Sequence, residues 1–303
     1  MPGSQDFTDD PRNASVLVSL NGVLTPRDEA KVSIFDAGFT VGDGVWEGLR
    51  FHRGALLFAD RHMNRLFAGA AAIDLDIGLT RDALVAEIFR TLAANGFDQF
   101  GYLRVMITRG PKSGANQDPR NALGLPTIVI LAEAKAPSPV LASSGLALAT
   151  ATIRCSPAEM FDMRLNSHSR LNLIMALQQA IRAGADEAVM LDPQGFVSSC
   201  NATNLFWVKA GEVRTSSGLY CFNGVTRGVV IECCRSEGMP IRLGDFPIED
   251  LRTADEVFVT GTFGGVTPVR SVDGCAMTSP LPCPVTNRLI AAYGARKDAE
   301  ASR

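Results

Sequence analysis

Residues 164–208 read RLNSHSRLNLIMALQQAIRAGADEAVMLDPQGFVSSCNATNLFWV, and this stretch decides the fold. It divides into a loop, a helix and a tight pair of strands. Leu171, Ile174, Met175 and Ile181 recur at helical spacing. Gly184 stands where a left-handed residue ends such a helix. Glu187 to Asp192 is a short apolar run, Pro193-Gln194-Gly195 is a turn, and Asn201 to Val208 returns as a second strand.

Around this stretch the chain is that of an ordinary globular protein. Its 303 residues allow two domains, and 46% apolar with 20% charged residues allow a sizeable core. A net charge of −3 gives no general attraction to nucleic acid or to an anionic membrane surface. No apolar run approaches the ~20 residues that span a bilayer. The first residues, MPGSQDFTDDPRN, are acidic and polar, unlike a signal peptide, and are expected to form a flexible arm through Ala14. The 7 cysteines are scattered without a C-x-x-C, which fits reduced thiols in a cytoplasm. With 3 histidines and no cluster of zinc-ligand spacing, no metal site is expected.

In chain order, Val16 to Thr25 alternates about Asn21-Gly22, a hairpin signal. The run FDAGFTVGDGVWEGLRFHRG (35–54) breaks the chain with glycine and aspartate before a strand begins near Val45. Residues 59–73 form an amphipathic helix with Leu66, Phe67 and Ala71 on one face. Thr80 caps a helix that runs to Asn95 and is closed by Gly96. Gly101 to Ile107 alternates as a strand, which puts Tyr102 and Arg104 on one side. Residues 109–126 make a long loop, and Thr127 to Glu133 a buried strand. The composition shift at AKAPSPVLASSG marks a linker over 134–145. A small domain over 15–133 and a larger one over 146–303 are expected on its two sides.

Five blocks, in this order, resemble the class IV aminotransferases, the fold-type IV enzymes that use pyridoxal 5′-phosphate (PLP). They are the 35–54 run, His62-Met63-Asn64-Arg65, the GADEA-x-x-LD-x-x-G-x-VS…N-x-F pattern, Gly224-Val225-Thr226-Arg227, and ADEVFVTGTFGGVTPVRSVDG (254–274). The resemblance implies an α/β fold of two domains, branched-chain or D-amino-acid aminotransferase-like, and a homodimer. It implies a cofactor-phosphate cup of Arg65, Val225, Thr226 and Thr262, because a forked guanidinium and a helix N-terminus both suit phosphate. Tyr102 and Arg104 match a Y-x-R that borders the substrate carboxylate, and Trp46 is assigned to the same substrate region.

The resemblance also defines two departures. The family carries its Schiff-base lysine six residues before the Asn of a Y-L-N run, and counting back from Asn172 that position holds Asn166. The carboxylate that holds the cofactor's pyridine nitrogen is expected at Ser199. Arg170 stands where many relatives have a tyrosine toward the cofactor's phenolic oxygen. His168, two residues from Asn166, is a candidate substitute base. The implied activity is amino-group transfer between an amino acid and a 2-oxo acid. Two alternatives are a non-catalytic relative that binds PLP or another phosphorylated ligand, and a PLP-independent lyase or isomerase acting on a carboxylate substrate.

Overall fold

The computed structural model describes residues 3–8, 10–279, 281 and 283–302. The chain divides into two compact units. One is built mainly of Thr8–Ala136 with the returning segment Leu165–Arg170, the other of Pro137–Arg164 and Leu171–Ala299.

The smaller unit begins with a hairpin. Asn21 and Gly22 take φ of 51° and 80°, the left-handed pair of a type I′ turn. They join β1 (Leu17–Leu20) to β2 (Val23–Pro26). There follow α1 (Ala37–Val41), β3 (Gly44–His52), β4 (Ala55–Leu56), α2 (Ala59–Ala72), α3 (Arg81–Ala94), β5 (Phe100–Thr108) and β6 (Thr127–Glu133). The strands form one sheet in the order β2-β1-β6-β5-β3-β4, every pairing antiparallel. Alternation sets what each face does. Val45, Leu49, Leu103, Val105 and Ile107 point into a core completed by Met63 and Leu66 of α2 and Leu84, Ile88 and Leu92 of α3. Each such side chain contributes about 1.5–3 kcal/mol by leaving water. Their burial fixes Trp46, Gly48, Tyr102 and Arg104 on the opposite face.

Two local expectations change here. On α2 the buried face is His62, Met63, Leu66, Gly69 and Ala70, while Ala71 is exposed. Ala71 lies five residues past Leu66, about 140° around the helix, so it cannot share that face. The stretch ahead of residue 14 is tied down at Asn13. This side chain is buried, and it donates to Ala134 O at 3.1 Å and accepts from Ala134 N at 2.7 Å.

The larger unit contains α4 (Pro139–Ser144), β7 (Leu146–Thr150), α5 (Leu171–Arg182), β8 (Glu187–Leu191), β9 (Val197–Cys200), β10 (Asn204–Lys209), β11 (Glu212–Ser216), α6 (Val225–Ser236), β12 (Ile241–Gly244), α7 (Ile248–Arg252), β13 (Glu256–Gly261), β14 (Gly265–Val272), β15 (Cys275–Ala276) and α8 (Pro284–Ala301). Its sheet runs β12-β11-β10-β13-β14-β7-β8-β9, with β15 beside β14. The pairs β7/β8 and β11/β12, each consecutive in the chain, are parallel, and so is β14/β7. A parallel pair needs a crossover, and α5 and α6 supply them. β8 and β9 are buried at every position, so β8 reads as a short apolar run without alternation, while β9 buries Ser198 and Ser199.

The deciding stretch folds with two differences from its sequence reading. The strand returning against β8 is β9, and the chain breaks at 201–203 before β10, which pairs with β11 and β13. Asn201 causes the break by turning its side chain onto the backbone of β8, where Oδ1 accepts from Ala188 N at 2.8 Å. The second difference is the face α5 buries. Ala176 and Ala180 are buried, while Leu171, Ile174, Met175 and Ile181 are exposed. Small side chains on the inner face bring the helix close to the sheet, and the large ones are left outside. β7 runs from Leu146 to Thr150. Among the described residues no helix is long and apolar enough to cross a membrane.

Candidate active site

In the smaller unit the segment Leu165–Arg170 lies along the start of β3. Trp46 N donates to Asn166 O at 2.9 Å, His168 N donates to Gly44 O at 2.9 Å, and Val45 and Ser167 form an antiparallel bridge. The Trp46 indole N–H donates to Ser167 O at 3.1 Å. Asn166 is buried, its Nδ2 donates to Trp46 O, and its Oδ1 accepts from the Arg170 guanidinium. Both ends of the amide are therefore engaged inside this unit. An amide nitrogen is not basic, so the side chain at the position where the resemblance puts a lysine ties backbone and offers no nucleophile.

Glu47 organises the charges of this unit. It is fully buried on the inner side of β3. His62 Nδ1 lies 2.7 Å from Oε2, Arg65 Nε 2.6 Å from Oε1, and Arg65 Nη2 2.7 Å from Oε2. Burial pushes the Glu47 carboxyl upward, but the hydrogen bonds from Arg65 and His62 outweigh it and hold the group below the ordinary carboxylate range. Arg65, assigned to the phosphate cup from sequence, closes its fork on this carboxylate.

Tyr102 and Arg104 are on the opposite face, as their spacing requires. The register puts Gly48 beside Arg104, and a Cβ on Gly48 would collide with the Tyr102 hydroxyl, so the phenol lies over a position only glycine leaves open. Burial raises the Tyr102 pKa, and the neighbouring Arg104, which hydrogen-bonds it, opposes that shift. The Arg104 guanidinium sits 4.0 Å from the centroid of the Trp46 ring, and that of Arg170 is 5.7 Å from the same ring. Arg170 donates to Ser167 O at 2.9 Å, to Leu165 O at 3.3 Å and to Asn166 Oδ1. Burial first, then repulsion from Arg65 and Arg104, lowers its pKa to about 10, with Glu47 partly offsetting. His168 is lowered by burial and by Arg104 and Arg170, against a hydrogen bond with the Val45 backbone and the charge of Asp36, so it is neutral at pH 7. Its Nε2 is buried and has no partner among the described residues.

The larger unit holds the remaining residues singled out from sequence. Ser199 is buried, its hydroxyl donates to Thr203 O at 2.9 Å and accepts from Asn204 Nδ2 at 3.1 Å. Its one proton is thus directed to a carbonyl. Asn204 also donates to Phe222 O at 2.6 Å and accepts from Gly224 N at 3.1 Å, which holds the chain entering α6. That helix begins at Val225 and Thr226 with no side-chain cap, so its first-turn amides stay open to an anion. Arg227 donates to Asn223 Oδ1 and Ser216 O, while its buried Nε has no partner among the described residues. Thr262 lies in the turn between β13 and β14. Behind Ser199, Glu187 is fully buried, takes the Thr203 hydroxyl at 2.6 Å, and has its carboxyl pushed up to about 7 by burial, with Asp186 adding to that.

Sequence reasoning did not single out Glu47, Gly48, Asn204 or Glu187. Glu47 and Gly48 lie inside the quoted 35–54 run, Glu187 in the GADEA pattern and Asn204 in N-x-F, so the signal was a motif position with no stated role.

The antiparallel sheet of the smaller unit and the mixed sheet of the larger one are those of a fold-type IV protein. Residues 44–272 match the model of the amino-transferase class IV family, and the chain belongs to that family. The branched-chain-amino-acid aminotransferase-like protein 2 of Arabidopsis thaliana is 38% identical over 284 residues, 93% of this chain and 50% of its own length, so the chain spans about half of that relative. A D-alanine aminotransferase of Listeria monocytogenes is 30% identical over 275 residues, covering 90% of this chain and 93% of its own. Among solved structures, a T.th. branched-chain amino acid aminotransferase with pyridoxamine 5′-phosphate superposes with a TM-score of 0.85 at 27% identity, covering 94% of this chain and 95% of that one.

Proposed function

We propose that this chain binds PLP without a covalent tether and acts, as an aminotransferase-like protein, on an amino acid or a 2-oxo acid. The observation that carries the reading is the N-terminus of α6. Val225 and Thr226 open it without a cap, and the Arg227 Nε beside them is buried without an acceptor among the described residues. Free amides, the helix dipole and a guanidinium together suit a phosphate. Thr262 is assigned to the same phosphate. The residues present fit the phosphate of PLP. They do not fit covalent attachment, because Asn166 has no amine and both ends of its amide are engaged.

When bound, PLP supplies an aldehyde and an electron-withdrawing ring. The rest falls to this chain's own groups. Arg104 and Tyr102 hold a substrate carboxylate, and Trp46 lines the same place. His168, neutral with an unpartnered Nε2, is the group able to take up a proton. Ser199 adds no negative charge. The engagement of both Asn166 and Ser199 also favours a second reading, a PLP- or phospho-ligand-binding relative without catalysis. A homodimer is part of the proposal, supported by exposed Ile34, Phe39 and Leu125 in the smaller unit and Leu171 and Ile174 on α5. So is a cytoplasmic location, supported by seven unpaired cysteines.

The test is a thermal melt with PLP, pyridoxamine phosphate and inorganic phosphate, followed by borohydride reduction and mass analysis of the PLP sample. The expected result is a rise in melting temperature with PLP and no label on the chain. Thr226→Val should shrink the rise. No shift with any of the three ligands would end the reading, and a label mapped to a lysine would end the non-covalent part of it.

A further inference from the structure

We propose that Tyr293 of α8 is a positioning residue for the phosphate site. Its ring braces the turn between β13 and β14, and the brace holds Thr262, which that turn carries, to the phosphate. The proposal rests on the reading of Thr262 as a phosphate ligand and adds an element that reading does not use, the helix Pro284–Ala301. The turn, α8 and the residues up to Phe7 all belong to the larger unit.

The sequence of the turn makes it depend on its surroundings. Gly261 and Gly265 face each other as the last pair of the β13/β14 ladder, which leaves Thr262, Phe263 and Gly264 as a three-residue loop. Gly265 takes a φ of 69°, the left-handed residue that such a loop needs. Gly-Thr-Phe-Gly-Gly (261–265) thus holds three glycines, and glycine has more backbone freedom to lose than any other residue. Val225 and Thr226, by contrast, open a helix of 12 residues that fixes their backbone. A hydroxyl that must meet a phosphate at hydrogen-bond distance therefore depends, at Thr262, on what packs against the turn.

Two parts of the chain pack there. α8 is anchored at its start, where the buried Glu256 carboxylate accepts from Val285 N at 3.0 Å, Thr286 N at 2.8 Å and the Thr286 hydroxyl at 2.8 Å. A negative charge suits a helix N-terminus. Glu256 is the first residue of β13, so the strand that leads into the turn also sets the position of the helix. Thr286, Leu289 and Tyr293 are buried, and their spacing puts them on one helix face. On that face the Tyr293 ring reaches the turn. A Cβ on Gly265 would lie 3.2 Å from its Cε1 and 3.6 Å from its Cδ1, so the ring edge rests on Gly265 itself. Glycine is needed there twice, for its φ and for the ring. The Lys297 ammonium stands 5.4 Å from the centroid of the same ring. On Gly264 a Cβ would lie 3.0 Å from Thr267 Oγ1 and 3.9 Å from Ser4 O. Ser4 is itself buried and donates its hydroxyl to the Glu187 carboxyl.

PLP and inorganic phosphate are titrated into the full-length chain by calorimetry. Tyr293→Ala should weaken both about tenfold, the scale of one charge-assisted hydrogen bond. Tyr293→Phe keeps the ring and should bind as the parent does. The decisive comparison uses two backgrounds. With Thr262→Val, Tyr293→Ala should weaken PLP no further, because the hydroxyl it positions is gone; with Thr226→Val the loss of about tenfold should remain. A loss of equal size in both backgrounds means that Tyr293 supports the fold at large, and overturns the inference. So does a Tyr293→Phe chain as weak as Tyr293→Ala. If Tyr293→Ala does not fold, Tyr293→Leu, which keeps apolar volume without the ring, is read by the same criteria. Hydrogen exchange of the ligand-free chain supplies a readout that needs no phosphate. Amides over 261–266 should exchange faster in Tyr293→Ala, with those in the first turn of α6 unchanged. Unchanged exchange over 261–266 overturns the brace. A parent that binds neither ligand ends the phosphate reading and this inference with it, whereas a parent that binds both no better than Tyr293→Ala does ends this inference alone.

Discussion

Replacing Asn166 by lysine puts an amine where the family resemblance expects one, and the structure states the consequences. The substitution removes two hydrogen bonds, to Trp46 O and from Arg170, at about 1 kcal/mol each. It also sets an ammonium beside the Arg170 guanidinium. At about 5 Å and an effective dielectric of ~20, two like charges repel by roughly 3 kcal/mol, which lowers the amine pKa from ~10.4 to roughly 8. The sign of the pH effect follows. The unfolded chain holds the extra proton between roughly pH 8 and ~10.4, so stability lost at neutral pH returns as pH rises through that window. Asn166→Lys should therefore cost about 2–4 kcal/mol at neutral pH by urea denaturation, and less above about pH 9. The same lowered pKa makes the amine nucleophilic near neutrality. With PLP and borohydride, a label should appear on the variant and not on the parent, with its pH midpoint well below that of a free lysine. Adding Arg170→Tyr removes the repulsion, and should recover stability at neutral pH while moving the labelling midpoint upward. Absence of label at every pH from about 7 to about 10 would refute the assignment, implied by the family resemblance, of residue 166 to the Schiff-base position.

Gly48→Ala should displace the Tyr102 phenol, because the added Cβ would collide with its hydroxyl. The expected loss is about 1–3 kcal/mol, with weaker carboxylate binding at Arg104, read by melting and by titration with glutarate. Glu47→Gln leaves the Arg65 guanidinium without its buried counter-charge, and should cost about 3–5 kcal/mol in urea denaturation. The Glu187 carboxyl is raised from 4.5 to about 7, so the folded chain holds a proton there that the unfolded chain releases. Stability should fall as pH rises through that window, by about 2–4 kcal/mol, and Glu187→Gln should flatten this slope.

Much of the fold was legible because it is written in local patterns. The Asn21-Gly22 turn, the Thr80 cap and the alternation of β5 each depend on a few adjacent residues, and each formed where it was read. The reading of α5 shows where periodicity runs out. Helical spacing of Leu171, Ile174, Met175 and Ile181 gives the helix correctly, but it cannot say which side meets the sheet. The alanines did, because a helix packed close to strands needs small side chains there. At the site, sequence could name Arg65, Tyr102 and Arg104 from motifs, yet the partners that give them meaning come from other elements. Glu47 is on β3 and Arg65 on α2, and only the fold puts 2.6 Å between them.

The family resemblance puts a lysine at 166, and against it the segment from Asn166 to Arg170 reads as one coupled arrangement, because Arg170 donates to Asn166 Oδ1. A lysine at 166 would combine two properties, a positive charge and a nucleophilic nitrogen. Here the two are separated. By the family resemblance the nucleophile is absent at 166, and a positive charge stands four residues on, in a guanidinium that stays protonated even with its pKa lowered to about 10. Asn166 then has a use that lysine could not serve, because its amide oxygen accepts from Arg170 while its nitrogen donates to Trp46 O. Reverting position 166 alone would thus place two cations where one was accommodated. The two residues should behave as a coupled pair: the double variant Asn166→Lys/Arg170→Tyr should be more stable than the sum of the two single effects allows, by about 1–3 kcal/mol. Additive effects in that double-mutant cycle would mean the contact between Asn166 and Arg170 is incidental, and the segment would have to be read as two unrelated substitutions.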